Sequence, residues 1–172
     1  VAVIDPANLL FYLSGGAGNA DPNASLGGAR SSTLLGSGLH NLFDPVSGDD
    51  AAAGDTEYRC VYFRNEDPNA NGLLAPAKLW VSSLTSSADT EIAIGFDAAG
   101  KNGVATTVVD ENTPPVGVSF STPTSKPTGL DLPGAPYMED DQVALWVRRT
   151  VNTGAAATES DAGSLRVEGD TV

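Results

Sequence analysis

The sequence has very few of the residue types that most often carry chemistry. It has one cysteine (Cys60), one histidine (His40) and one methionine (Met138), and nine Lys and Arg face 22 Asp and Glu. A lone thiol excludes an intrachain disulfide and any zinc site built from several cysteines. A lone histidine means that a Ser-His-Asp or Cys-His mechanism would have to run through His40. Its surroundings, Gly36-Ser37-Gly38-Leu39 before and Asn41-Leu42-Phe43 after, are not a nucleophile elbow. The formal charge of −13 and a pI near 4.1 leave too few clustered cations to hold a phosphate backbone, so no nucleic-acid partner is expected. No apolar run reaches the roughly 18 residues of a membrane helix, and no membrane partner is expected either. Leu, Val, Ile and Phe make up 39 of 172 residues. That share lies just above the roughly 20% below which a strongly charged chain tends to stay disordered, so the core is real but lean.

What the chain does have is a series of short alternating apolar runs fenced by Gly, Pro, Asn and Asp. Residues 55–64, 77–83, 90–97, 104–109, 116–121, 142–151 and 163–168 read as strands, spaced every ten to fifteen residues with polar turns between them. Asn71-Gly72, Gly100-Lys101-Asn102-Gly103 and Leu132-Pro133-Gly134 supply turn signals. Proline or glycine interrupts nearly every window long enough for a helix. The pattern predicts an all-β fold, an antiparallel β-sandwich of jelly-roll or Ig-like type. Alternation also assigns faces. Tyr58, Cys60 and Tyr62 share one side of their strand and Val61 and Phe63 the other, while Ile92, Ile94 and Phe96, and Val143, Leu145 and Val147, form apolar core faces. In this setting Cys60 reads as a small buried hydrophobe.

Residues 1–52 differ from the rest. One short strand signal, Asn8-Leu9-Leu10-Phe11-Tyr12-Leu13, runs into Ser14-Gly15-Gly16-Ala17-Gly18-Asn19 and then into a stretch dominated by small and turn-forming residues. The expected organisation is an extended Gly-rich N-terminal arm over 1–52 and a sandwich domain over 53–172. Such an arm cannot build its own core. It orders only along the domain or against another subunit, and Leu9, Phe11, Leu13, Leu26, Leu34 and Leu35 are the side chains expected at that partner interface. Arg149 joins them, because neighbouring strand residues point to opposite faces and one of Arg148 and Arg149 must find a carboxylate or a subunit boundary.

Two motifs compete with plainer readings. Asp67-Pro68-Asn69-Ala70-Asn71-Gly72 matches the opening of a calcium loop, but the twelfth position is Lys78 where a bidentate carboxylate belongs, so a turn is the preferred reading and no metal is assigned. Trp80, Trp146, Tyr58, Tyr62 and Tyr137 offer aromatic faces of the kind that stack on sugars, but strand aromatics more commonly pack inside. No catalytic residue and no cofactor is assigned.

On the segments Phe11-Tyr12-Leu13-Ser14-Gly15-Gly16, Asp21-Pro22-Asn23-Ala24-Ser25-Leu26-Gly27-Gly28, Asn41-Leu42-Phe43-Asp44, Gly54-Asp55-Thr56-Glu57-Tyr58-Arg59-Cys60, Ala77-Lys78-Leu79-Trp80-Val81, Ile92-Ala93-Ile94-Gly95-Phe96-Asp97, Leu145-Trp146-Val147-Arg148-Arg149 and Leu165-Arg166-Val167-Glu168-Gly169-Asp170, the chain resembles a family of small virion structural proteins of tailed bacteriophages and prophages. These are fold-level signatures and bring no active site. The resemblance implies a non-enzymatic virion protein. A capsid decoration or cement protein that bridges or covers major capsid protein subunits comes first. A neck, tail or baseplate-associated protein and a glycan-binding surface module are the alternatives. It further implies localisation in the virion, the major capsid protein or other virion proteins as partners, and a homo-oligomer, with a trimer favoured.

Overall fold

The computed structural model of the protein describes residues 4–68 and 73–171. Its strands are β1 (Leu9–Ser14), β2 (Arg30–Leu34), β3 (Asp55–Asn65), β4 (Leu73–Ser83), β5 (Thr90–Lys101), β6 (Leu130–Asp131), β7 (Gln142–Val151) and β8 (Ser164–Thr171). They form two antiparallel sheets, in the orders β2-β1-β3-β7-β5 and β6-β4-β8, and so build the all-β sandwich that the alternation predicts. The α-helix among the described residues, α1 (Gly48–Ala53), is under two turns long and has no apolar period to read. A capping box starts it: Ser47 Oγ accepts from Asp50 N–H at 3.1 Å, and the Asp50 carboxylate accepts from Ser47 N–H at 3.2 Å.

β3 and β7 lie at the centre, in register from Asp55↔Val151 to Arg64↔Gln142. On their inner face Val61, Phe63, Val143, Leu145 and Val147 join Ile92 and Ile94 of β5 and meet Leu79 and Val81 of the smaller sheet in one buried cluster. On the outer face Cys60, Tyr62, Ala144 and Trp146 join Tyr12 in a second cluster, roofed by Leu26, Ala105, Val108, Val118 and Phe120. The central strands are thus buried on both sides, which is why residues 143–147 form an unbroken apolar run.

Two chain segments make the roof, one near 24–29 and one spanning 104–121. Cys60 N–H donates to Ser25 O, Val108 N–H to Leu26 O, Gly28 N–H to Ala105 O and Tyr58 N–H to Glu111 O, at 2.7 to 3.1 Å. Ile94 and Ser121 exchange both backbone hydrogen bonds. Glycine makes these approaches possible. Gly27 sits at φ +95°, and a Cβ there would lie 1.9 Å from the Thr106 carbonyl oxygen; a Cβ on Gly95, in the middle of β5, would lie 2.5 Å from that of Ser119.

Three sequence expectations change here. Within the arm expected over 1–52, residues 4–52 are not an extended segment with one short strand. β1 pairs with β3 from Leu9↔Asn65 to Leu13↔Val61, and β2 pairs with β1, so the larger sheet begins before residue 53. Residues 104–109 and 116–121 are valine-rich like strands but make only isolated bridges, because they lie over the sheet as a roof and form no ladder within it. β2 and β6 were not foreseen: Arg30-Ser31-Ser32-Thr33-Leu34 has almost no apolar content, and β6 is two residues long. The Asn71-Gly72 turn signal lies outside the described residues.

Candidate functional site

β1 leaves β3 after Leu13↔Val61, and the Ser25 and Glu111 carbonyls take over the vacated edge. At this end the inner face of the sheet turns from apolar to ionic. Glu57 and Arg59 project from β3, and Arg149 stands opposite Glu57 on β7. The Arg59 side chain has no exposure; it donates to the Glu111 carboxylate and to Asn23 Oδ1 at 3.1 Å, and lies 3.9 Å from Asp44 and 4.0 Å from Glu57. Arg149 forks onto Glu57, through Nε at 2.7 Å and through Nη2, and donates to the Asp44 carbonyl at 2.8 Å. Both guanidinium groups lie over the Phe43 ring, at 4.8 Å for Arg149 and 5.5 Å for Arg59. Burial pushes the Glu57 carboxyl up from its ordinary range, against the pull of Arg149 and Arg59.

Asp44, Glu57 and Glu111 bring one oxygen each within 4.8 Å of one another, the one grouping of this kind among the described residues. Arg59, fully buried, and Arg149, partly buried, offset two of its three negative charges, so the cluster acts as an ionic lock that ties β3 and β7 to the segments carrying Asp44 and Glu111. Sequence spacing gave no sign of it, since its members are spread from Asp44 to Arg149.

A second set of polar ties holds the roof. The buried Asp97 carboxylate accepts from Trp146 Nε1 at 2.8 Å, from Ala99 N–H at 2.9 Å and from Thr106 N–H at 3.3 Å. Tyr62 Oη donates to Gly28 O at 2.7 Å and accepts from Ala105 N–H at 2.9 Å; burial raises its pKa to about 12. Burial also pushes the Cys60 thiol far up, although a hydrogen bond with Ser14 acts the other way, which favours the neutral thiol.

The residues expected at a partner interface are occupied within the chain, with one exception. Leu13 is buried, Leu9, Phe11 and Leu35 pack on the inner cluster, and Leu26, in the roof, packs on the outer cluster. Arg149 found its carboxylate in Glu57. Leu34, half exposed at the end of β2, is the most open of these side chains. The physical reason is that β3 offers an unpaired edge beside the chain's own N-terminal segment, so no second subunit is needed to order that segment.

Of the aromatics considered for a stacking platform, Trp80, Tyr62, Trp146 and Tyr137 are buried, and Tyr58 is partly buried with its ring 5.5 Å from that of Phe120. Asp67 is buried as well and accepts from Asp5 N–H at 2.6 Å and Asn8 Nδ2 at 3.2 Å, which ties the start of β1 to the end of β3; the rest of the calcium-like loop, 69–72, lies outside the described residues. His40 is exposed. Two shallow depressions of about 460 and 430 Å³ mark the surface. The first is lined by Ser86, Ser87 and Thr122 together with Glu91, its one ionisable side chain, and the second has no ionisable side chain.

Fold and site define an acidic antiparallel β-sandwich whose clustered ionisable side chains serve internal ties. No family model, curated protein or solved structure matches the chain.

Proposed function

We propose that the chain is a non-enzymatic structural protein of a bacteriophage virion, a capsid decoration or cement protein that covers or bridges major capsid protein subunits as a homo-oligomer. The virion assignment is supported by the sequence resemblance. One structural observation supports a contact surface over a reaction centre: the roof segment, hydrogen-bonded to β3, β5 and the 24–29 segment, presents Val104, Val109 and Val116 to solvent, the last two 87% and 80% exposed. Apolar side chains on a well-anchored backbone are what a docking surface presents, and the acidic remainder suits a basic partner.

Co-sedimentation of the purified protein with undecorated particles tests this reading, together with the copy number in intact ones. Binding at shell stoichiometry, lost in a Val109→Asp and Val116→Asp double variant, supports it. A copy number set by the axial symmetry of a neck or tail moves the protein there. Absence of binding overturns the reading.

A further inference from the structure

Sheet edges are sites of unwanted or intended pairing, and three of the four edges here are blunted. The outer edge of β2 is covered by the β1–β2 connection, through Ser32 N–H to Ala17 O and Thr33 Oγ1 to Asn19 O. β5 is bridged by Ser121, and Thr122 Oγ1 donates to Ile92 O. β6 has two residues. β8 is different: it pairs with β4 on one side, and among the described residues its other side makes no backbone hydrogen bond.

The direction of its free groups follows from β4. Val81 N–H and Ala77 C=O point away from β8, to Pro123 O and Leu132 N–H. The alternate residues Lys78 and Trp80 therefore turn their backbone groups toward their partners on β8, Glu168 and Arg166. Leu165, Val167 and Gly169 are left with N–H and C=O directed outward. Their side-chain positions lie on the core face, where Leu165 and Val167 pack against the inner cluster. Arg166 and Glu168 stand on the opposite, solvent face, Arg166 over Trp80 and Glu168 beside Lys126.

We propose that β8 pairs antiparallel with β8 of a second copy of this chain, about a two-fold axis at Val167. That register is self-complementary in three respects. Val167 meets Val167 of the second copy, and Leu165 meets Gly169, so every outward N–H and C=O of these residues faces its counterpart. Arg166 falls opposite Glu168 of the second copy, and Glu168 opposite its Arg166, in the closer, non-hydrogen-bonded pairs where opposite charges attract. The two core faces become continuous, giving one six-stranded sheet in the order β6-β4-β8-β8-β4-β6. The charges on β8 do not guard the edge against its own copy, because the spacing Arg-x-Glu converts an antiparallel approach into two ion pairs. The contact is isologous and closes as a dimer, unlike the three-fold assembly expected from the resemblance. It does not rest on the virion reading, which particle binding tests separately.

The test is the mass of the full-length protein in solution, followed by light scattering across a concentration series. Wild type should reach the dimer mass. R166E and E168R should each weaken dimerisation by about tenfold or more, because each sets like charges opposite at two symmetric positions. The R166E/E168R double variant should recover the dimer, and an equimolar mixture of the two single variants should form a heterodimer. A monomeric wild type, a trimeric mass indifferent to the swaps, or single variants that dimerise like wild type would each overturn the proposal. So would failure of both the double variant and the mixture to recover the dimer mass.

Discussion

Residues 4–54 and residues 55–171 reach the same sandwich by different means. The longer part carries the alternating runs that pair into β3, β4, β5, β7 and β8, each with several apolar side chains on one face. The shorter part is rich in glycine and short polar residues, yet it supplies β1, β2, half of the roof, and Ile4 and Leu42 to the inner cluster. The contrast shows that building a core and completing one have different requirements. A segment that completes a core needs an open edge for its backbone and a few side chains at the right positions. Its average hydrophobicity says little.

The sharpest break of this comparison is truncation to a chain starting at Asp55. It removes β1 and with it the edge partner of β3 and part of the cover over Cys60. Loss of the folded state is the expected result, read by far-UV circular dichroism and by alkylation of Cys60, slow in the full chain and fast in the truncated one. A truncated protein that keeps a native spectrum and a protected thiol would restore the picture of a detachable arm.

Adjacent residues on β7 compare the two faces of the larger sheet. Leu145→Ala on the inner face should cost about 2–5 kcal/mol, and Trp146→Ala under the roof about 3–5 kcal/mol, in chemical denaturation. A much smaller loss at Trp146 would mean that the roof is loosely held. Gly27→Ala asks the same of the roof's own backbone: a left-handed φ and the approach to Thr106 should together cost about 2 kcal/mol or more. A variant as stable as wild type would show that the 24–29 segment yields without consequence.

Glu111→Gln should cost about 1 kcal/mol, since it weakens a charge-assisted hydrogen bond to buried Arg59 but leaves a partly exposed amide in its place. The smallest effect expected is acid sensitivity near Asp161. Burial pushes its carboxyl up, but hydrogen bonds from Thr90, from Ser87 N–H and from Ser86 outweigh burial and hold it below its ordinary value. A lowered folded pKa adds stability above the unfolded value, and that contribution is lost as pH falls through the folded one. Asp161→Asn should therefore flatten the acid decline of the melting temperature, and an unchanged profile would remove this residue from the account.

β3, β5, β7 and β8 were legible because half-buried or central strands must alternate or run apolar, and their turns announce themselves. The pairing of Val61 with Phe63 against Tyr58, Cys60 and Tyr62 was legible for the same reason. At 104–109 the valine-rich composition reads as a strand, yet Ala105 and Val108 turn inward three residues apart, with Val104 and Val109 outward, a spacing that a paired strand of period two does not have. One local clue was present in Gly95, a glycine in mid-strand where another backbone passes close. The ionic lock had no local clue. Arg59 reads as an ordinary polar position on β3 until Asp44, Glu57 and Glu111 are brought around it.

Composition and period therefore decide the class: an acidic chain of short alternating runs folds as an antiparallel sandwich with a modest core, because burying one face of each strand is the only way such runs leave water. Which edge β1 fills, what covers Trp146, how Arg59 and Arg149 are neutralised and which strand edge stays open depend on contacts between residues distant along the chain. These are set by how the two sheets and their connections pack in space, where a free hydrogen-bonding edge, a missing Cβ or a facing carboxylate matters more than the identity of sequence neighbours.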